Sequence, residues 1–262
     1  MRDILDLETF PIDRPGTPEW EALVARCRTD LAEQGMFNLD GLMHPTVAAQ
    51  EALDMASQFD TEAFLHEREH NIYFLKSLPD LPADHPALTR FRTSNRTLCA
   101  DQIPHSALIQ LYEWPEFAQF LAATMDMPKL YPMQDHMARV NVMSYDAGQT
   151  LNWHFDRSEF TTTLLLQSPD HGGAFEYRTD LRSKDDPNYD GVAQMLQVQD
   201  DQVQSLTLSP GTLNVFRGRN TAHRVTTVQG ETSRVIAVFS YFEQPDVTFS
   251  PEERQGFYGR AE

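Results

Sequence analysis

Cysteine is scarce in this chain: Cys27 and Cys99 are the only two in 262 residues. Neither belongs to a CxxC pair, which excludes a zinc knuckle and a dithiol redox motif. Two free, buried thiols fit a reducing compartment. Positive charge is also in short supply. Against 39 Asp and Glu stand only 21 Lys and Arg, for a formal net charge of −18. That balance argues against a nucleic-acid partner, whose phosphates call for a basic footprint, and an acidic surface chiefly signals solubility. No run approaches the roughly 20 apolar residues that span a bilayer. The start, Met1 to Asp6, lacks an apolar signal core, and no internal repeat or low-complexity segment interrupts the chain. Together these absences predict a cytoplasmic protein without a membrane partner. What remains is a chain apolar enough, at 40%, to be globular. Its length suits one large domain.

The texture changes near residue 137, so the expected organisation is one domain over 1–262. A mostly helical part covers 1–136, a β core 137–245 and a tail 246–262. Thr17-Pro18-Glu19-Trp20 reads as an N-cap, a proline at the first helical position and an acidic first turn. Trp20, Leu23, Val24, Cys27 and Leu31 follow at helical spacing. Further helices are expected from His44-Pro45 to Phe59, from Thr61 to His70 and from Glu113 to Met125. Beyond residue 137, Arg139 to Tyr145 alternates, and Phe160 to Gln167 is rich in strand formers. Short runs follow at 174–177, 203–208, 212–216, 222–228 and 233–242, separated by glycine- and proline-containing turns. Many short strands with regular turns predict a mainly β fold with a helical N-terminal part. The expected architecture is a jelly-roll or cupin-like barrel, a double-stranded β-helix, buttressed by α-helices. The polar insert 180–201 reads as a surface excursion near the barrel mouth.

Within the β part, His154 stands two residues before Asp156. On a strand such a pair shares a face, because side chains alternate with period two. An isolated HxD is common by chance, but here His223 opens a later strand and could complete a triangular face around a metal. Two histidines and one carboxylate on one face, with the opposite positions open, is the arrangement used by non-heme Fe(II) oxygenases. Arg234 opens the last long strand, where Ile236, Val238, Ser240 and Phe242 share its face. An arginine on an apolar inward face is costly unless it meets an anion, and the far carboxylate of a 2-oxo acid would be such an anion. The competing reading for Arg234 is an exposed charge at a strand end.

His154-Phe155-Asp156, the distal His223 and Arg234 resemble the HxD…H…R pattern of the Fe(II)/2-oxoglutarate-dependent oxygenases. NWHFDRSEFTTTLLLQ, GGAFEY, PGTLNVFRGRNTAHRV and the upstream HNIYF resemble a bacterial group that includes halogenases and hydroxylases of free amino acids. That similarity extends from about His70 to Gln244. The resemblance implies Fe(II) held by His154, Asp156 and His223, with 2-oxoglutarate and dioxygen as co-substrates. It also implies an Arg234 contact to the 2-oxoglutarate tail. Tyr145, in the turn ahead of the HxD, is a co-substrate contact by the same resemblance; an ordinary core tyrosine is the alternative. In the halogenases of the group a small residue replaces the carboxylate and leaves room for chloride. Asp156 fills that position, so the resemblance implies a hydroxylase acting on a small molecule, with a free amino acid as the expected substrate.

Substrate contacts are harder to read. Arg92 and Arg96 could pair with a substrate carboxylate, or could be solvated or structural arginines. Ser240 and Asn214 are strand positions that could face the pocket, and Glu159 could lie on the substrate side or on the surface. Arg219 and Arg224 read as packing or ion-pairing residues, and Trp153 and Phe155, opposite the ligands, as core. The alternatives to hydroxylation are a desaturase, an enzyme acting on a peptide or protein side chain, and a cupin-like binding protein without turnover.

Overall fold

The structure is a computed structural model and describes residues 1–75 and 81–262. The helices are α1 (Pro18–Gln34), α2 (Pro45–Thr61), α3 (Ala107–Glu113), α4 (Pro115–Thr124), α5 (Tyr189–Leu196) and α6 (Pro251–Tyr258). The strands are β1 (Met36–Leu39), β2 (Phe64–His70), β3 (Phe91–Cys99), β4 (Tyr131–Pro132), β5 (Val140–Tyr145), β6 (Leu151–His154) and β7 (Thr161–Gln167). Then come β8 (Phe175–Arg178), β9 (Gln204–Leu206), β10 (Leu213–Phe216), β11 (Ala222–Val225), β12 (Arg234–Phe239) and β13 (Tyr241–Phe242). All pairings are antiparallel. The large sheet runs β1-β10-β7-β12-β5-β3-β2, the small one β6-β11-β8-β9, and β13 pairs β4. This is the expected double-stranded β-helix.

Helices α1 to α4 bury their apolar stripes on one face of the large sheet. In α1, Thr17 Oγ1 accepts from Trp20 N, and Trp20, Leu23, Val24, Cys27 and Leu31 are all buried, as their spacing predicts. They join Ala48, Ala52 and Met55 of α2 and Phe117, Phe120 and Leu121 of α4. Alternate strand residues complete the same cluster: Val140 and Val142, Leu164 and Leu166, Leu213 and Val215, and Val235, Ala237 and Phe239. Each Val, Leu, Phe or Met among them contributes about 1.5–3 kcal/mol on burial. The intervening residues Tyr145, Leu165 and Ile236 point the other way and cluster with Val228 inside the barrel.

Several elements differ from the sequence expectation. Thr61 to His70 is not a helix. It contains the end of α2 and strand β2, which pairs with β3 over all seven residues, from Phe64↔Thr97 to His70↔Phe91. Its Glu, Arg and Leu content favours helix only weakly, and a seven-residue ladder overrides that preference. The part before residue 137 therefore supplies three of the large sheet's seven strands, β1, β2 and β3. The helix expected from Glu113 starts at Pro115. Trp114 ends α3 and caps α4, because proline excludes helical backbone from the residue before it. The insert 180–201 is more than a surface excursion. It carries α5, whose Val192 and Met195 pack with Leu181, Trp153 and Phe155. The last long strand is interrupted at Ser240, between β12 and β13.

Candidate metal centre

His154 ends β6 and His223 lies on β11, and the two are direct cross-strand partners. Asp156 follows two residues after His154. One ligand atom from each of the three residues falls within 4.8 Å of the others. His154 Nε2 lies 3.4 Å from Asp156 Oδ1, and His223 Nε2 lies 3.4 Å from Oδ2. The ring orientations are set by the backbone. His154 Nδ1 donates to the Asn152 carbonyl (2.8 Å) and His223 Nδ1 to the Thr221 carbonyl (2.9 Å). A carbonyl accepts only from an N–H, so the proton sits on Nδ1 and the Nε2 lone pair is free for a metal. Burial, followed by the neighbouring His223, lowers the His154 pKa and favours the neutral imidazole a metal needs. Burial alone would raise the Asp156 pKa. With no metal bound, a proton on either imidazole Nε2, that of His223 first, would outweigh it and hold this carboxylate well below its ordinary value; a bound cation would take that proton's place.

Asp156 is also braced from behind. Thr161 Oγ1 donates to Asp156 Oδ2, and Asp156 N donates to the Gly218 carbonyl at 3.0 Å. A Cβ on Gly218 would come within 2.3 Å of Asp156 Oδ2 and 2.6 Å of Thr161 Oγ1, so only glycine lets the two segments approach this closely.

Arg234 and Tyr145 face each other across β12 and β5. Arg234 is 3% exposed, and its Nη1 has no hydrogen-bond partner. Among the described residues no carboxylate pairs with it. Burial lowers its pKa to about 10, against the opposing influence of Tyr145. The side chain lines a cavity of about 250 Å³ with Leu165, Phe175, Leu208 and Gly173. At Gly173 (φ 63°) a Cβ would meet Arg234 Cδ at 3.0 Å, so glycine opens the path of the arginine. Tyr145 is fully buried; its hydroxyl points to Met143 Sδ at 3.5 Å, and burial raises its pKa to about 12.

The donor set fits ferrous iron: two neutral imidazoles and one ionised carboxylate on one side. Among the described residues no further His, Cys, Asp or Glu joins the group. The buried, unpaired guanidinium likewise fits the distal carboxylate of a dicarboxylic co-substrate.

Arg92 and Arg96 do not reach this cavity. Arg92 is exposed and pairs with Glu67 (2.7 Å), while Arg96 pairs with Asp146 (3.2 Å) and donates to the Phe59 carbonyl of α2. Both lie on β3, a strand outside the sequence expectation, and they occupy its outward phase. Thr93, Asn95 and Thr97 face inward instead, and Thr93 Oγ1 bonds His70 Nε2 at 2.8 Å. Ser240 shares the inward row with Arg234 but lies six residues on, about 20 Å along an extended chain; its carbonyl accepts from Tyr112 Oη (2.8 Å). Asn214 is buried with an unpartnered Oδ1. Glu159 pairs with Arg219 (3.2 Å) and Arg224 with Glu176 (2.7 Å). Trp153 and Phe155 are buried as expected. The inward face of β2, with His66, Arg68 and His70, escaped the sequence reading because the segment was read as a helix. Its period-two alternation with Leu65, Glu67 and Glu69 was the available signal.

Fold and site together define an oxygenase of the Fe(II)/2-oxoglutarate superfamily. The chain belongs to the halogenase D family, whose model, Halogenase D, matches residues 84–255. No curated protein matches it in sequence. Among solved structures it is similar to AviO1 from Streptomyces viridochromogenes Tue57, at 15% identity and TM-score 0.57, covering 86% of this chain and 96% of that one. It is similar also to SnoK, a non-heme α-ketoglutarate-dependent carbocyclase from nogalamycin biosynthesis, at 12% identity and TM-score 0.57, covering 90% and 92%. A third is a 2OG-Fe(II) oxygenase-family oxidoreductase from Burkholderia pseudomallei, at 16% identity and TM-score 0.50, covering 84% and 91%. At these identities the likeness is one of fold.

Proposed function

We propose that this protein is an Fe(II)- and 2-oxoglutarate-dependent dioxygenase that hydroxylates an unactivated C–H bond of a small polar metabolite, a free amino acid by analogy with the group it resembles. The observation that carries the reading is the pairing of a 2-His-1-carboxylate face with a buried guanidinium that has no anion of its own. His154, Asp156 and His223 are the metal ligands. Arg234 takes the distal carboxylate of 2-oxoglutarate, and Tyr145 borders it. Iron held there supplies dioxygen activation coupled to oxidative decarboxylation of 2-oxoglutarate to succinate and CO2.

The chain's own residues provide placement. The Asn152 and Thr221 carbonyls keep both imidazoles in the metal-binding tautomer. Thr161 and Gly218 fix the carboxylate in place for the metal. Ser240 is retained as a substrate-side candidate. A cytoplasmic location accords with two free cysteines and no disulfide among the described residues. Among the described residues no helix is long and apolar enough to cross a membrane.

The family name raises halogenation as a second reading. Asp156 argues against it, because it occupies the coordination position a halide would need. Aerobic incubation with Fe(II), 2-oxoglutarate and a metabolite pool should yield succinate and a product heavier by one oxygen. Asp156→Gly should abolish that product and admit chloride instead. Sustained absence of succinate would favour a binding protein without turnover, and undiminished hydroxylation by Asp156→Gly would remove this residue from the ligand set.

A further inference from the structure

The two faces of β2 carry different chemistry. Outward, Glu67 pairs with Arg92 at 2.7 Å and Glu69 with Arg90 at 3.8 Å. Inward, His66, Arg68 and His70 stand in register with Asn95, Thr93 and Phe91 of β3. No carboxylate stands on that inward row, in a chain whose net charge is −18. Both ring nitrogens of His66 are buried without a partner, and His70 is tied to the Asn71 carbonyl and to Thr93 Oγ1. Arg68 has no ion-pair partner among the described residues. The nearby Arg157 already has Glu253, at 3.1 Å. Arg68 itself is exposed; partial desolvation and then the repulsion of Arg157 lower its pKa, with no acid beside it to oppose them.

Phe74 connects this row to the metal centre. Its ring lies 4.0 Å beneath the Arg68 guanidinium, 4.4 Å from His70 and 5.9 Å from the ligand His154. The residue sits in the left-handed region at φ 57° and is 39% exposed. A bulky side chain is held in that conformation only against a cost of about 1–3 kcal/mol. Opposite-face pairing, an acid-free inward row and a strained aromatic at its end all converge on the open side of the barrel beside His154.

From this arrangement we propose that Arg68, seated on the Phe74 ring, anchors a carboxylate of the substrate, so that the enzyme takes an acid in preference to the corresponding amide. The inference rests on the oxygenase reading above. A guanidinium fork receives a carboxylate through two parallel hydrogen bonds. The aromatic ring fixes the guanidinium plane and spans the distance to the metal ligand. The reacting carbon then belongs to the part of the substrate that extends from the carboxylate past Phe74 toward His154.

The test measures 2-oxoglutarate-dependent succinate formation with Fe(II) and a panel of the twenty common L-amino acids and their C-terminal carboxamides. One or more free acids should raise succinate above the substrate-free level, and the matching amides should not. For such an acid, Arg68→Gln should raise KM at least tenfold and Arg68→Lys less. Arg92→Gln, on the outward face, should match the wild type. Amides as effective as acids, no stimulation by any free acid, or an unchanged KM in Arg68→Gln would each overturn the anchor while leaving the oxygenase reading intact. Absence of succinate in every arm, the wild type included, would sink both.

Discussion

Asp156 has almost no freedom around it, and that makes Gly218 a sensitive position. A methyl group there would meet the carboxylate at 2.3 Å, so Gly218→Ala should displace a ligand without touching the metal. Supporting residues of this kind change metal affinity by about 10–100-fold. Titration of the apo-protein with Co(II) should show a loss in that range while the far-ultraviolet dichroism stays native; unchanged affinity would mean the carboxylate does not bind the metal. Arg234 poses a different question. Among the described residues it makes no hydrogen bond or ion pair with a ligand residue, yet it is buried and its Nη1 unmet. Hydrogen bonds to a charged group contribute about 1.5–3 kcal/mol. Arg234→Ala should therefore raise the KM for 2-oxoglutarate by about ten- to hundredfold and leave metal affinity unaltered. If metal affinity fell and the 2-oxoglutarate requirement did not, the anchor assignment would be wrong. In the sequence Gly218 reads only as a turn glycine, and the two carbonyls that orient the imidazoles carry no signal at all. A backbone carbonyl is present at every position, and only the folded register shows which one meets Nδ1.

Among the elements, α6 depends on one acidic residue. Asp135 is 1% exposed. Its Oδ1 accepts from Met137 N and Ala138 N, both at 3.0 Å, and its Oδ2 from Phe249 N (3.1 Å) and Arg254 Nε (2.8 Å). It thus ties the segment entering β5 to the start of α6. Burial on its own would raise the Asp135 pKa; the hydrogen bonds from Ala138, Arg254, Met137 and Phe249 outweigh it and leave the value below 3.8. Removing one partner of a buried charge pair costs about 3–5 kcal/mol, so Asp135→Ala should destabilise by that order in urea denaturation. Because the folded-state pKa is depressed, the contribution is complete above the unfolded value of 3.8 and is lost as pH falls through the folded value. The gap between wild type and variant should be constant above pH about 4 and narrow below it; a gap that widened on acidification would contradict the ion pair. Strand β2 gives the opposite lesson about legibility. Its charged run reads as helix over ten residues. The partner that makes it a strand, β3, lies more than twenty positions away, and only their pairing reveals the inward phase of Arg68.

Across the described residues, one apolar cluster runs from Leu5 to Phe239 and takes side chains from α1, α2, α3, α4 and six strands. We propose that the chain folds as one cooperative unit despite the change of texture at residue 137. Thermal or urea unfolding should show a single transition, coincident by near- and far-ultraviolet dichroism. The fragment 1–136 should not fold alone, since it lacks the sheet face that buries its helices. Two separated transitions would divide the chain into domains. Sequence by itself determined the α1 stripe, the strand-rich second half and the shared face of His154 and Asp156. The first two follow from periods of 3.6 and 2 that a few neighbouring residues impose on themselves; the third follows from the two-residue spacing alone, since β6 ends at His154 and Asp156 lies just beyond it. Only the tertiary structure decided that His223 pairs across from His154, that β2 is a strand, and that Thr93, Asn95 and Thr97 rather than Arg92 and Arg96 look into the barrel. Those depend on register between distant strands, which the packing of the entire core selects and no local period encodes.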